Sequence, residues 1–184
     1  MKPRYVDIGI CGLSCRLCPR FHTEGTSLCL GCKSEVRMSA GCPFITCALK
    51  RKGLEFCWDC DESGTCAKWK KHRDIARERD TFTCYASLND NIDAVSKRGL
   101  DAFIADQDQR LEILGEMLGH FNEGRSKTYY CIAATRLDPA ELTDAISKAK
   151  KSSASQDVRQ RSKVLHTLLD ELASRHAITL ALRK

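Results

Sequence analysis

The sequence predicts a mainly α protein in two parts. A loop-rich cysteine module over residues 1–66, with little regular structure beyond short strands and helices, is packed against an α-helical bundle over 67–184. Three observations carry this expectation. Ten of the twelve cysteines, seven of the eleven glycines and three of the four prolines lie before residue 67. From a border near residues 66–84 onward the chain turns polar, amphipathic and helical in pattern. The first part also holds few large apolar side chains, too few to close a core by hydrophobic burial alone.

The elements follow in chain order. Residues 43–53 read as a short helix, with Lys50, Arg51 and Lys52 at the C-terminal end, where cations suit the helix dipole. Short helices are expected over 65–80 and 89–98. Leu100, Phe103, Ile104, Gln107, Leu111, Leu114, Leu118 and Phe121 recur at intervals of three and four, which lines one face of a helix over 100–121 between Gly99 and Gly124. Gly115 and Gly119 inside it read as points of close helix packing. Residues 128–134 (TYYCIAA) suit a helix or a buried strand, and helix is the reading adopted. Asp138, Pro139 and Glu141 supply an N-cap, a first-turn proline and a capping-box acid for a helix over 139–150. Val158, Val164, Leu165, Leu168, Leu169 and Leu172 mark the last helix, and the serine-rich interval 152–155 is the turn before it. The tail, 177–182 (AITLAL), reads as a short strand.

Charge and compartment narrow the function classes. Lys and Arg number 30 against 24 Asp and Glu, a formal charge of +6 that permits nucleic acid without demanding it. The first ten residues lack the apolar core of a signal peptide, and no stretch approaches the roughly 20 apolar residues of a membrane span. The expectation is a cytoplasmic protein without membrane contact. Its cysteines then stay reduced and serve as metal ligands instead of forming a disulfide scaffold.

The cysteine spacing is the strongest signal. Cys15 with Cys18, Cys29 with Cys32, and Cys57 with Cys60 are three pairs separated by two residues. That interval lets a tight turn present two thiolates to one ion while backbone amides hydrogen-bond the sulfurs. Four-thiolate zinc needs two such contributions. Cys15, Cys18, Cys29 and Cys32 form the expected first site, and Cys47, Cys57, Cys60 and Cys66 the second, with Cys42 in reserve. Cys11 stands near the first site as a substitute ligand, a bridging thiolate, a redox-active group or a buried side chain. His22 is a further alternate ligand. Two zinc ions are expected, mainly structural, since such a site contributes on the order of 10–16 kcal/mol of apparent binding energy to folding. The leading functional expectation is a zinc-dependent scaffold or interaction protein that meets a protein partner.

Two alternatives stand beside it. Cys11, Cys15 and Cys18 have intervals of three and two residues, which resembles the cluster-holding motif of radical S-adenosylmethionine enzymes; an iron–sulfur or thiol-based redox enzyme would follow. The strand–helix alternation of the barrel those enzymes use is missing. Lys50, Arg51 and Lys52, and Lys68, Lys70, Lys71 and Arg73, lie near Trp58 and Trp69, which suits a nucleic-acid-binding zinc protein. Cys84 and Cys131 read as buried apolar residues. His72, His120, His166 and His176 are scattered, and no nucleophile has a base at motif spacing, so no catalytic constellation is recognised.

Residues 11–19 (CGLSCRLCP), 29–32 (CLGC), 42–48 (CPFITCA) and 56–60 (FCWDC) together resemble the cysteine-rich prokaryotic family called domain of unknown function 3795. The resemblance covers roughly residues 8–70. It implies a zinc-binding protein of bacterial or archaeal origin and brings no established activity or catalytic residue. Residues 61–65 (DESGT) depart from the family pattern, in which an aromatic and a proline precede the last cysteine.

Overall fold

The computed structural model describes residues 3–39, 42–81 and 83–184, and it is mainly helical. Among the described residues no strand forms; one antiparallel bridge joins Ile8 and Ser14. The short strands expected in the cysteine-rich part are therefore turns. Single turns of 3-10 helix occupy Cys15–Leu17, Gly25–Ser27 and Cys57–Asp59, α1 spans Glu35–Ser39, and Ile45–Arg51 winds as a π-helix. Then come α2 (Ala67–Glu78), α3 (Leu88–Arg98), α4 (Leu100–Phe121), α5 (Lys127–Arg136), α6 (Pro139–Ser152) and α7 (Val158–Arg175). No helix among the described residues is long and apolar enough to cross a membrane.

The chain divides into two compact units. One runs to Phe103 and takes in Arg183–Lys184, and the other is Ile104–Leu182, so the division falls inside α4. The first unit continues past the compositional border near residue 66 because the cysteine-rich chain shares a core with α2 and α3, which pack on each other. Trp69, Ala76, Leu88 and Ile92 form that core, and Cys11, Leu13, Phe44, Cys57, Trp58, Cys66 and Tyr85 pack against it. A second cluster, Ile10, Ile45, Ala48 and Leu49, takes Cys32, Cys42 and Cys57 as partly buried neighbours. Cysteine side chains thus help to fill both cores of a segment short of large apolar residues.

Arg183 closes this unit. Its guanidinium donates to both carboxylate oxygens of Asp80 (3.0 and 2.9 Å) and to the carbonyls of Arg77 (2.6 Å) and Ala76 (2.8 Å), the open C-terminal end of α2. Burial alone would raise the Asp80 carboxyl; the Arg183 guanidinium, with the N–H groups of Arg183 and Tyr85, holds it below the usual carboxylate range.

In the second unit α6 and α7 pack on each other, and Leu114, Met117, Phe121, Tyr130, Leu137, Leu142, Leu165 and Leu169 are buried. Asp138 caps α6 as expected, accepting from the N–H groups of Ala140 (2.9 Å) and Glu141 (3.1 Å). The expected capping-box return from Glu141 is replaced by a contact with the end of α7, His176 Nε2 at 2.7 Å and Arg175 at 3.6 Å. Gly115 and Gly119 are not packing points: a Cβ built at either meets nothing within 4 Å. The tail is not a strand either. Ala177, at φ +52°, ends α7 in a left-handed cap, with the Ala177 N–H on Ser174 and the Ile178 N–H on Ala173, and among the described residues there is no strand for the tail to pair with.

Candidate metal centre

The cysteine pairs are held by the turns between them. The Cys18 N–H returns to the Cys15 carbonyl (3.1 Å), and the Cys60 N–H to that of Cys57 (3.4 Å). Between Cys29 and Cys32 the chain turns through Gly31 at φ +97°, where a side chain would lie 2.8 Å from the Val6 carbonyl oxygen and 3.4 Å from Cys15 Sγ. The Cys29 N–H donates to the Arg20 carbonyl (3.0 Å), which folds the second pair back toward the first. Backbone amides reach the sulfurs: Leu13 serves Cys11, Cys32 serves Cys15, and Ile10 serves Cys32.

Two cavities gather the ten cysteines. The first, about 360 Å³, is lined by Cys11, Cys15, Cys18, Cys29, Cys32 and Cys42. The second, about 50 Å³, is lined by Cys47, Cys57, Cys60 and Cys66. All four residues expected at the first site therefore share one cavity, all four expected at the second share another, and Cys11 and Cys42 join the first. Among the described residues no three His, Cys, Asp or Glu side chains stand as close together as one metal ion would draw them. His22 lies elsewhere, with Nε2 2.6 Å from the Arg16 carbonyl oxygen.

Cations stand behind the thiols. Arg37 Nε donates to Cys29 Sγ at 3.5 Å. Lys52 Nζ donates to Cys60 Sγ at 3.2 Å and pairs with Glu62 at 2.9 Å; those two partners, Glu62 first, raise its pKa. Lys33, next to Cys32, is buried against Glu55 (3.1 Å), the Tyr5 carbonyl (3.1 Å) and the face of Phe56 (3.8 Å from the ring centre). Burial lowers the Lys33 pKa, and Glu55 opposes that.

The thiols are tuned apart. A hydrogen bond from Cys15 holds Cys32 below the ordinary thiol range, and the same bond with burial pushes Cys15 up. Burial, then the charge on Cys32, pushes Cys11 up to about 12, the state of a buried thiol and not of a nucleophile at neutral pH. Burial likewise pushes Cys57 up to about 12, helped by Cys11, Cys66, Cys47 and Cys42.

One residue on the first cavity escaped the spacing argument. His72 lines it, with Nε2 buried and without a hydrogen-bond partner, and burial lowers its pKa. Trp69, His72 and Ala76 follow a helical interval, and the outer two are buried, so periodicity was the signal that could have found it.

The other candidate residues are engaged elsewhere. Trp69 is 4% exposed and meets Phe44 edge-on, and Trp58 stacks on Phe56 with ring centres 4.3 Å apart, so aromatic faces that would stack on bases lie against the protein itself. Lys50 donates to the Met38 carbonyl (2.9 Å) and Arg73 to Asn89 (2.7 Å), while Lys68, Lys70 and Lys71 are exposed. Cys84 and Cys131 are buried. In the second unit Ser126 Oγ lies 2.8 Å from His166 Nε2. Its carboxylate neighbour, Glu123, accepts from the serine (2.7 Å) instead of orienting the imidazole, and Ser126 is 4% exposed, so this is a buried polar network and not a nucleophile with its base.

No protein-family model, curated protein or solved structure matches this chain.

Proposed function

We propose that this chain is a metal-binding protein whose cysteine sets are mainly structural centres, with zinc in the set formed by Cys47, Cys57, Cys60 and Cys66, and with a scaffold or interaction role. The carrying observation is the sorting of ten cysteines onto two cavities, each with a cation donating to one of its thiols. Thiolates select soft or borderline metals, zinc foremost, and four of them complete its tetrahedron. The order of the cysteines, which resembles domain of unknown function 3795, supports the same reading. The small volume at the second set supports a closed site, because a structural zinc keeps no open position.

The test is metal analysis of the full chain purified under reducing, oxygen-free conditions, followed by chelation. At least one zinc per chain is expected, lost in Cys60→Ser, with unfolding of the first unit when a strong chelator removes it. Metal-free protein that melts at the same temperature as the protein as isolated would overturn the reading.

A further inference from the structure

The two cavities differ in a way that one kind of centre does not explain. Zinc–sulfur bonds of about 2.3 Å draw four thiolates in until no space is left, and about 50 Å³ at the second set is of that scale. The first cavity, at about 360 Å³, is about twelve times the roughly 30 Å³ share of one water molecule. It carries six thiols, two more than one tetrahedral ion takes. The rest of its wall includes Phe44, Ile45, Tyr85 and His72, whose Nε2 is buried and unpartnered.

Two zinc ions sharing six thiols would need those sulfurs to converge and bridge. Cys15 and Cys32 share a hydrogen bond, and the cavity around them leaves room for a centre that brings its own bridging atoms. Inorganic sulfide does that, and soft thiolates in an apolar setting with amide N–H groups on the sulfurs are its usual ligands. We propose that the first cavity holds an iron–sulfur cluster bound by four of its six cysteines, with His72 donating a hydrogen bond from Nε2 to a cluster sulfur. This rests on the reading that the cysteines are metal ligands, and it replaces the first of the two expected zinc ions with a cluster.

The experiment is oxygen-free isolation of the full chain from iron-supplemented cells, with zinc, iron and acid-labile sulfide counted on the same sample. Expected are one zinc per chain, iron and sulfide in equal amounts, and a broad visible absorption band. The Cys15→Ser/Cys32→Ser double variant should lose iron, sulfide and band together. Because that variant is exposed to misfolding, His72→Phe supplies the second readout: iron content is kept, while the reduction potential of the cluster shifts, since a hydrogen bond to the cluster is gone. Two zinc ions per chain with neither iron nor sulfide would overturn the cluster and leave the metal-binding reading standing. A chain that binds no metal at all would overturn both. An unchanged potential in His72→Phe would remove the histidine from the proposal.

Discussion

Gly31 offers the sharpest test of how the cysteine-rich turns are built. At φ +97° it occupies backbone space that costs a residue with a side chain roughly 1–2 kcal/mol. A Cβ there would also stand 2.8 Å from the backbone oxygen of Val6, which cannot swing aside as a flexible side chain would. Forced shifts of that kind cost typically about 1–3 kcal/mol. Gly31→Ala is therefore expected to destabilise the first unit by about 2–5 kcal/mol. Gly53 is the control, because it is also left-handed, at φ +67°, but a Cβ there meets nothing within 4 Å. Gly53→Ala should cost only the conformational part, about 1–2 kcal/mol. Urea denaturation of both variants under reducing conditions reads the difference, and metal content reads its consequence. With Cys15 Sγ 3.4 Å from the added methyl, Gly31→Ala should also lower metal loading while Gly53→Ala leaves it unchanged. Equal midpoints for the two variants would refute the close approach of Gly31 to Val6.

Removing the Arg183 side chain orphans the Asp80 carboxylate, whose side chain is 1% exposed. Because the backbone N–H groups of Tyr85 and Arg183 still serve it, Arg183→Ala should cost about 3 kcal/mol, the low end for a buried pair, measured by denaturation of the full chain. Gly115→Ala and Gly119→Ala face open space in α4 and should each raise stability by roughly 0.5–1 kcal/mol; a loss in thermal melting would restore the packing role expected from the sequence. Burial holds His166 below its ordinary value of 6.5, against the pull of Asp170 and Glu123. The unfolded chain therefore takes up that proton first, and stability should fall as pH drops below about 6.5, a slope that His166→Gln reduces in melts across that range.

What the sequence made legible was whatever is written in local spacing. The apolar intervals from Leu100 to Phe121 correspond to a helix with those same ends, and Asp138 caps the helix that its position announces. Cysteine pairs two residues apart became turns whose two cysteines line one cavity, again a local property. What stayed hidden depends on distant contacts. Cys42 reaches the first cavity, not the second, although Pro43 and Phe44 line both, and no interval along the chain encodes that. Along the chain His72 is one of several scattered histidines, and its meaning comes from the cysteines that share its cavity. Glu141 sits at the capping-box position, yet His176 and Arg175 outcompete the backbone N–H for its carboxylate. The tail AITLAL has the composition of a strand, and composition cannot show that no partner strand is present among the described residues.

The positive charge of the chain takes on a different sense beside this geometry. A four-thiolate zinc site carries a net charge of −2, and a thiolate-bound cluster is also anionic, so either centre is stabilised by fixed cations nearby. Arg37 on Cys29 and Lys52 on Cys60 already stand at hydrogen-bond distance from the sulfurs, and Lys33 is locked in place beside Cys32 by Glu55. Of these cations Lys33 and Lys52 are already paired with Glu55 and Glu62, so among the described residues Arg37 is the one that brings unpaired positive charge to a sulfur. The arrangement also links the two cavities. Cys57 lines the second, yet its thiol feels Cys11 and Cys42 of the first as well as Cys66 and Cys47 of its own set. Either centre is net negative once its thiolates are in place, so loading the first keeps that repulsion on Cys57. Loading of either centre should release protons, and its affinity should rise with pH.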